Sequence, residues 1–314
     1  MNYDHTSVLL NEAVDGLALR EGAVICDGTI GGGGHALAIA EKIGAKGTLI
    51  GMDKDGEALS AAAKRIESGL PRKIFFQGNF TEIAQALSAN GIDGLDGAIL
   101  DLGVSSKQLD DPARGFSYMQ DGPLSMRMNG GERDGELTAA DVVNGYSEQD
   151  LYGIIRDYGE ERWAKRIAAF IVKERKIAPI LTTARLTGVI KNAIPAAARR
   201  DGPHPAKRTF QAIRIEVNDE LGSLERGLAA FAEVLKPKGR LAVITFHSLE
   251  DRIVKEFFLK REDPCECPKG LPVCVCGKVA DGRRVNRKPI LPTEEEISRN
   301  PRSRSAKLRI LEKL

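Results

Sequence analysis

The first hundred residues alternate between short apolar runs and longer mixed ones. Ala23-Val24-Ile25-Cys26-Asp27, Thr48-Leu49-Ile50-Gly51-Met52-Asp53, Lys73-Ile74-Phe75-Phe76-Gln77 and Gly97-Ala98-Ile99-Leu100-Asp101 each read as a strand. Between them lie helical stretches, about Gly34 to Ile43 and Glu57 to Ile66, and one that Thr81 can cap and that runs to about Ala89. Such alternation predicts βαβ units and a parallel sheet. Strands apolar throughout predict that both sheet faces are covered.

The alternation stops after residue 105. A loop rich in Gly, Asp and Pro runs from Leu109 to Asn129, and helical patterns follow it. Trp163, Ile167, Phe170 and Ile171 fall at i, i+4, i+7 and i+8, one face of a helix. The plain reading of those two aromatics is helical core, not base stacking. The α/β pattern resumes with a long helix from about Phe210 to Leu235 and a strand from Arg240 to Phe246. A helix from Leu249 to Lys260 and a final strand from Lys307 to Leu311 follow. The simplest architecture is an α/β domain, 1–105 and 209–314, interrupted after its fourth strand by a helical insertion, 106–208.

Composition narrows the class. The chain has 314 residues, enough for two domains, with 42% hydrophobic and 29% charged residues, as in a soluble globular protein. No apolar run approaches ~18 residues, so no membrane span is predicted. Met1-Asn2-Tyr3-Asp4-His5 carries an acid and no basic residue ahead of Val8-Leu9-Leu10, unlike a secretory signal. Five cysteines, four of them between Cys265 and Cys276, argue against a disulfide framework and for a cytoplasmic setting. Charge is uneven. Residues 1–105 hold 8 Lys and Arg against 14 Asp and Glu, a net of −6, and the remainder carries a net of +8. Such asymmetry suits a basic surface for a polyanion, or simply solvated faces.

The candidate chemistry gathers at the strand ends. Ligands of open parallel sheets bind beyond the carboxyl ends of the strands, where Asp27, Asp53 and Asp101 stand. Gly31-Gly32-Gly33-Gly34 follows the first strand and opens a helix, whose N–H groups and dipole favour an anionic group. Gly31-x-Gly33-x-x-Ala36 fits a dinucleotide pattern, and Asp53 is placed as its ribose-binding acid. Taken alone this supports an NAD-dependent oxidoreductase. Two features point elsewhere. Asp27 precedes the glycines, as in the first motif of Rossmann-like methyltransferases, and Asp101 matches a methyltransferase active-site position.

Further motifs make the likeness specific. They include His5-x-Ser7-Val8-Leu9-Leu10-x-Glu12, Asp27-Gly28-Thr29 with Gly31 to His35, and Gly51-Met52-Asp53-x-Asp55. Leu100-Asp101-Leu102-Gly103-Val104-Ser105-Ser106-x-Gln108-Leu109-Asp110 and Arg114-Gly115-Phe116-Ser117 come next. Later stand Arg208-Thr209-Phe210-Gln211-Ala212, Val217-Asn218-x-Glu220-Leu221, Thr245-Phe246-His247-Ser248-Leu249-Glu250-Asp251 and Pro301-Arg302-Ser303-Arg304-Ser305. Together they resemble the ribosomal RNA small subunit methyltransferase H family, also called MraW. The resemblance implies a Rossmann-like class I methyltransferase sheet with a helical insertion domain. It implies S-adenosyl-L-methionine as cofactor and N4 of a cytidine in 16S rRNA, at the decoding centre of the small ribosomal subunit, as target. Gly33, Gly34 and His35 are then expected to contact the cofactor, Asp53 its ribose and Phe80 its adenine. Asp101 and Gln108 would complete the cofactor side of the pocket, with Asp101 also the candidate proton acceptor. One departure is Ser125, where the family's Gly-Pro-Leu-Asp-Met-Arg-Met stretch has Asp.

The RNA would meet the basic part of the chain. Arg162 to Arg208 hold twelve basic residues against Glu174 and Asp201, and Arg283-Arg284, Arg287-Lys288 and Arg302-x-Arg304 form a second cluster. The insertion is therefore expected to dock the rRNA. An RNA-binding or ribosome-assembly module without catalysis is the alternative from another class. Cys265-x-Cys267 and Cys274-x-Cys276 can supply four thiolates to zinc, although C-x-x-C spacing is absent and the resemblance implies no metal. Cys26, in the first strand, reads as core.

Overall fold

The computed structural model describes residues 7–66, 71–130, 135–200, 202–268, 273 and 275–314. The chain divides into two compact units, Met1–Gly103 with Leu221–Leu314, and Val104–Glu220.

The first unit is built on one sheet. Its strands are β1 (Val24–Asp27), β2 (Thr48–Asp53), β3 (Arg72–Gln77), β4 (Leu95–Asp101), β5 (Leu235–Thr245), β6 (Gly282–Arg284) and β7 (Lys307–Lys313), in the order β3-β2-β1-β4-β5-β7-β6. The first five are parallel, whereas β7 runs antiparallel to both β5 and β6. The order reverses between β1 and β4, the switch point where open α/β sheets bind ligands. In register Asp27 pairs with Gly51 and with Ile99, so Asp53 and Asp101 each stand two residues further along their strands.

Alternate residues explain why the strands read as continuous apolar runs. Ile25, Leu49 and Ile99 pack on one face with Ile39, Ile43, Ile244 and Ile310. Their neighbours Cys26, Ile50 and Leu100 pack on the other with Leu228, Phe231 and Phe258. Both faces are buried, as parallel sheets require.

Several expected elements need correction. Thr81 caps no helix: the Asn79 side chain accepts from the Thr81 N–H (3.2 Å) and forms a capping box with Glu82, starting the short turn Phe80–Glu82 ahead of the helix Ile83–Ser88. The long helix expected from Phe210 to Leu235 is two helices, Lys207–Asn218 and Glu220–Val234, because Asp219 turns left-handed at φ 47°. β5 begins at Leu235, with its pairing to β4 shifted between Leu95 and Gly97. The helix Leu10–Gly16 and the short strand β6 carry no pattern that announced them.

The second unit is helical. Its main helices are Ala139–Gly145, Glu148–Asp157, Ala164–Arg175, Thr183–Ala193 and Lys207–Asn218. Val142, Leu151, Ile155, Ile167, Ile171, Ile190 and Ile213 lie in its core. Trp163 and Phe170 are half-buried against that core, with the guanidinium groups of Arg162 and Arg166 5.5 and 5.4 Å from their ring centres. This unit ends at Glu220, beyond the expected 208, because Phe210 and Ile213 belong to its core. At Ser125 the chain enters a tight turn: Met126 is fully buried at φ 58°, and Asn218 holds both sides, donating to Met126 O (2.8 Å) and accepting from Met128 N–H (2.9 Å). Among the described residues no helix is long and apolar enough to cross a membrane.

Candidate active site

The β1 loop is bent by hydrogen bonds to its neighbours. Ile30 N–H donates to Met52 O (2.9 Å), and Gly33 N–H donates back to Ile30 O (2.8 Å). Gly31 N–H donates to the Asp53 carboxylate (2.9 Å), fastening the loop to the end of β2. Thr29 Oγ1 accepts from Asp101 N–H (2.6 Å), fastening it to the end of β4. Gly33 is held to glycine by its backbone, and Gly34 by close packing against Ser7. Gly33 sits at φ 75°, where a Cβ would also lie 3.0 Å from Ala62 Cα, and a Cβ on Gly34 would lie 1.9 Å from Ser7 Oγ.

The helix Gly34–Ile43 starts from Gly33 without a side-chain cap. Its first N–H groups and positive dipole end face the crevice at the switch point, the arrangement that receives carboxylates and phosphates. His35 is buried, with Nε2 3.1 Å from Val8 O. A carbonyl only accepts, so Nε2 carries the hydrogen, and Nδ1 lies 3.7 Å from Asp101 Oδ2.

Three carboxyl groups cluster at the ends of β2, β1 and β4. Asp27 is buried, and desolvation, opposed by the Thr29 N–H and aided by the charge of Asp53, pushes its pKa up to about 7. Burial raises Asp53 as well, and the N–H groups of Asp55 and Gly31 pull it partly back. Asp101 is raised well above the ordinary carboxyl range, by burial first and then by the charges of Asp27 and Glu250. Its side chain is 26% exposed, yet Oδ1 is buried with no hydrogen-bond partner among the described residues. An orphaned buried oxygen at a crevice is an acceptor waiting for a ligand donor.

Phe80 follows β3 and is half-buried against the core around Leu100 and Phe231. Gly227 makes room for its ring, since a Cβ there would fall 2.2 Å from Phe80 Cε2. Gly33, Gly34, His35, Asp53, Phe80 and Asp101 thus all belong to the sheet unit, around the ends of β1, β2 and β4. Gln108 belongs to the helical unit. Its amide accepts from Ser105 N–H (2.9 Å) and donates to Met128 O (3.1 Å), so both ends are engaged by the chain itself. Sequence reasoning missed three contributors. Thr29 and Gly227 act through partners far along the chain, and Glu250, a buried acid in the cap of the helix Ser248–Glu262, acts on Asp101 by its charge.

The residues present fit S-adenosylmethionine. Asp101 offers an acceptor unmet among the described residues, Asp53 accepts from the N–H groups of Gly31, Lys54 and Asp55 with lone-pair capacity beyond them, and the helix after the glycine loop starts with no side-chain cap. A clustered set of carboxyls also suits a cofactor that carries a sulfonium and an ammonium charge. Sheet order, antiparallel β7 and this crevice define a class I S-adenosylmethionine-dependent methyltransferase. Residues 2–314 match the model of the MraW methylase family. The chain is 53% identical over 317 residues to ribosomal RNA small subunit methyltransferase H of Ruminiclostridium cellulolyticum, covering 100% of both. It is 55% identical over 313 residues to the protein of that name in Pelobacter propionicus, covering 99% of each. To that of Clostridioides difficile it is 52% identical over 314 residues, again covering 100% of both. The chain belongs to the MraW methylase family, and its methyl donor is S-adenosylmethionine.

Proposed function

We propose that the protein methylates the N4 amine of a cytidine in 16S rRNA, at the decoding centre of the small ribosomal subunit. The printed names of its relatives support the rRNA target. The observation that carries the chemistry is the Asp101 Oδ1 atom, buried and without a hydrogen-bond partner among the described residues, at the switch point of the sheet.

When bound, S-adenosylmethionine would supply an electrophilic methyl group, its S–CH3 bond breaking as the N4–CH3 bond forms, with the sulfur leaving as a neutral thioether and N4 giving up one proton. Cytosine N4 is a weak nucleophile because its lone pair is delocalised into the ring. Asp101 accepts an N4–H hydrogen bond, turns the lone pair into line and takes the proton as the new bond forms. Asp53 would accept from the ribose hydroxyls, Phe80 would pack against the adenine, and the backbone of Gly33, Gly34 and His35 would hold the donor's polar end. The target base must leave its stack to arrive. The helical unit holds the surrounding RNA through exposed Arg162, Lys165, Arg166, Arg199, Arg200 and Lys207.

The test is methyl incorporation from labelled cofactor into isolated, unmodified small subunits, followed by nucleoside analysis. N4-methylcytidine is the expected product. Label on another nucleoside overturns the target, and tight rRNA binding with no label favours the non-catalytic assembly module.

A further inference from the structure

Between the helix Ser248–Glu262 and β6 the described residues, 263–268, 273 and 275–281, form no helix or strand. The base of this loop is clamped. Asp281 N–H donates to Arg261 O (3.2 Å), the Arg261 guanidinium pairs with the Asp281 carboxylate, and Arg284 Nε donates to Glu262 Oε2 (2.6 Å). Beyond the base, the valines among the described residues point outward: Val273, Val275 and Val279 are 70%, 76% and 83% exposed. A loop that buries so little apolar surface needs another source of order, because fixing its backbone costs about 1–2 kcal/mol per residue.

Its described residues bring sulfur together instead. The Sγ atoms of Cys265, Cys267 and Cys276 all lie within 4.8 Å of one another. Cys265 and Cys276 are 4.0 Å apart, about twice the ~2.05 Å of a disulfide. Tetrahedral zinc with Zn–S near 2.3 Å sets its sulfurs about 3.8 Å apart. Val275 N–H donates to Cys267 Sγ (3.4 Å), which fixes that sulfur against the second cysteine segment. Lys278 pairs with Glu266 (2.5 Å), tying the flanks of the two cysteine segments together. None of these groups belongs to the crevice at the switch point.

We propose that this loop is a structural metal site, in which Cys265, Cys267 and Cys276 bind one zinc ion as thiolates. Each thiol gives up its proton to solvent on binding, and the ion becomes the core that the loop lacks. The sequence holds a fourth cysteine, Cys274; it lies outside the described residues, and the site rests on the other three.

The test uses the full chain, purified under reducing conditions from zinc-supplemented medium, with metal content measured by mass spectrometry. About one zinc per chain is expected. Cys265→Ser and Cys267→Ser should each lower it at least tenfold, and Cys26→Ser, in β1, should keep it. Calorimetric binding of S-adenosylmethionine to every variant separates loss of metal from loss of fold. Replacing zinc by cobalt should produce strong sulfur-to-metal absorption that the two loop variants lack. A parent chain that takes up no zinc after reconstitution overturns the site. So does Cys265→Ser loading to the parent level, or a disulfide within the loop of the purified protein.

Discussion

The two units differ in whether they bury charged side chains. In the helical unit Thr138, Ser147 and Thr182 cap their helices, accepting from the N–H groups of Asp141, Asp150 and Arg185. Among the described residues it buries Gln108 and three threonines, and no charged side chain. The sheet unit buries Asp27, His35, Asp55, Glu250 and Arg309, and begins its first crevice helix from a left-handed glycine with no side-chain cap. Acids buried without counter-ions are unfavourable in an isolated domain. Asp27 and Asp101, both desolvated at the carboxyl ends of β1 and β4, mark the place where a ligand completes the structure, while Arg162, Lys165, Arg166, Arg199, Arg200 and Lys207 of the helical unit stay exposed, where a polyanion can reach them.

The sharpest way to break this contrast is at Asp101. Asp101→Asn keeps the shape and removes the proton acceptor. Single-turnover methylation should fall by about a hundred- to ten-thousandfold, with cofactor affinity, read by calorimetry, little changed. Parent-level turnover would make Asp101 a structural group like those of the helical unit.

Asp27 tests the energetic side of the contrast. Its pKa of about 7 lies above the ordinary 3.8, so between those values the folded state holds a proton that the unfolded chain has lost. Stability therefore falls as pH rises from about 4 to about 7, and above that the cost of the buried charge is complete, on the order of 4 kcal/mol. Asp27→Asn should melt higher than the parent at pH 8 in the absence of cofactor, with the gap closing near pH 4. Equal melting temperatures at pH 8 would show that the crevice tolerates this charge at no cost.

The contrast was partly readable in advance, and the reason differs by element. An acid ending an apolar run is a local signal, so Asp27, Asp53 and Asp101 stood out together with the strands that carry them. Asn79 was overlooked in favour of Thr81 because both residue types cap helices, and only the backbone shows which one does. The break at Asp219 left no trace, since an aspartate in the left-handed region is uncommon and the helical pattern runs on through it. β6, with three residues, is too short for any period to register. Thr29 against Asp101 and Gly227 against Phe80 are pairings across strands and helices, which no local window contains. The engagement of the Gln108 amide with Ser105 and Met128 appears only in the folded chain.

The helical unit's part in the contrast is its exposed basic surface. A triple variant, Arg199→Glu, Arg200→Glu and Lys207→Glu, should weaken rRNA binding roughly a hundredfold at low salt and make the log–log salt slope shallower by about three. Cofactor affinity should hold. An unchanged slope would move the RNA contact to other residues, with the second basic cluster, around Arg283 and Arg302, the next to vary.

The smallest effect examines whether the helical unit's order matters to the crevice at all. Thr138 Oγ1 accepts from Asp141 N–H (3.1 Å), and the Asp141 carboxylate accepts from Thr138 N–H (2.8 Å), a reciprocal cap at the start of Ala139–Gly145. Thr138→Ala removes half of it and should cost about 1 kcal/mol. Hydrogen exchange should show the loss in the helix Ala139–Gly145, with amides of β1 and β4 protected as before. If the crevice is formed by the sheet unit's own residues, S-adenosylmethionine affinity should stay within about twofold of the parent, as for independent sites. A drop in affinity matching the loss of helix stability would show instead that the order of the helical unit is coupled to cofactor binding by the sheet unit.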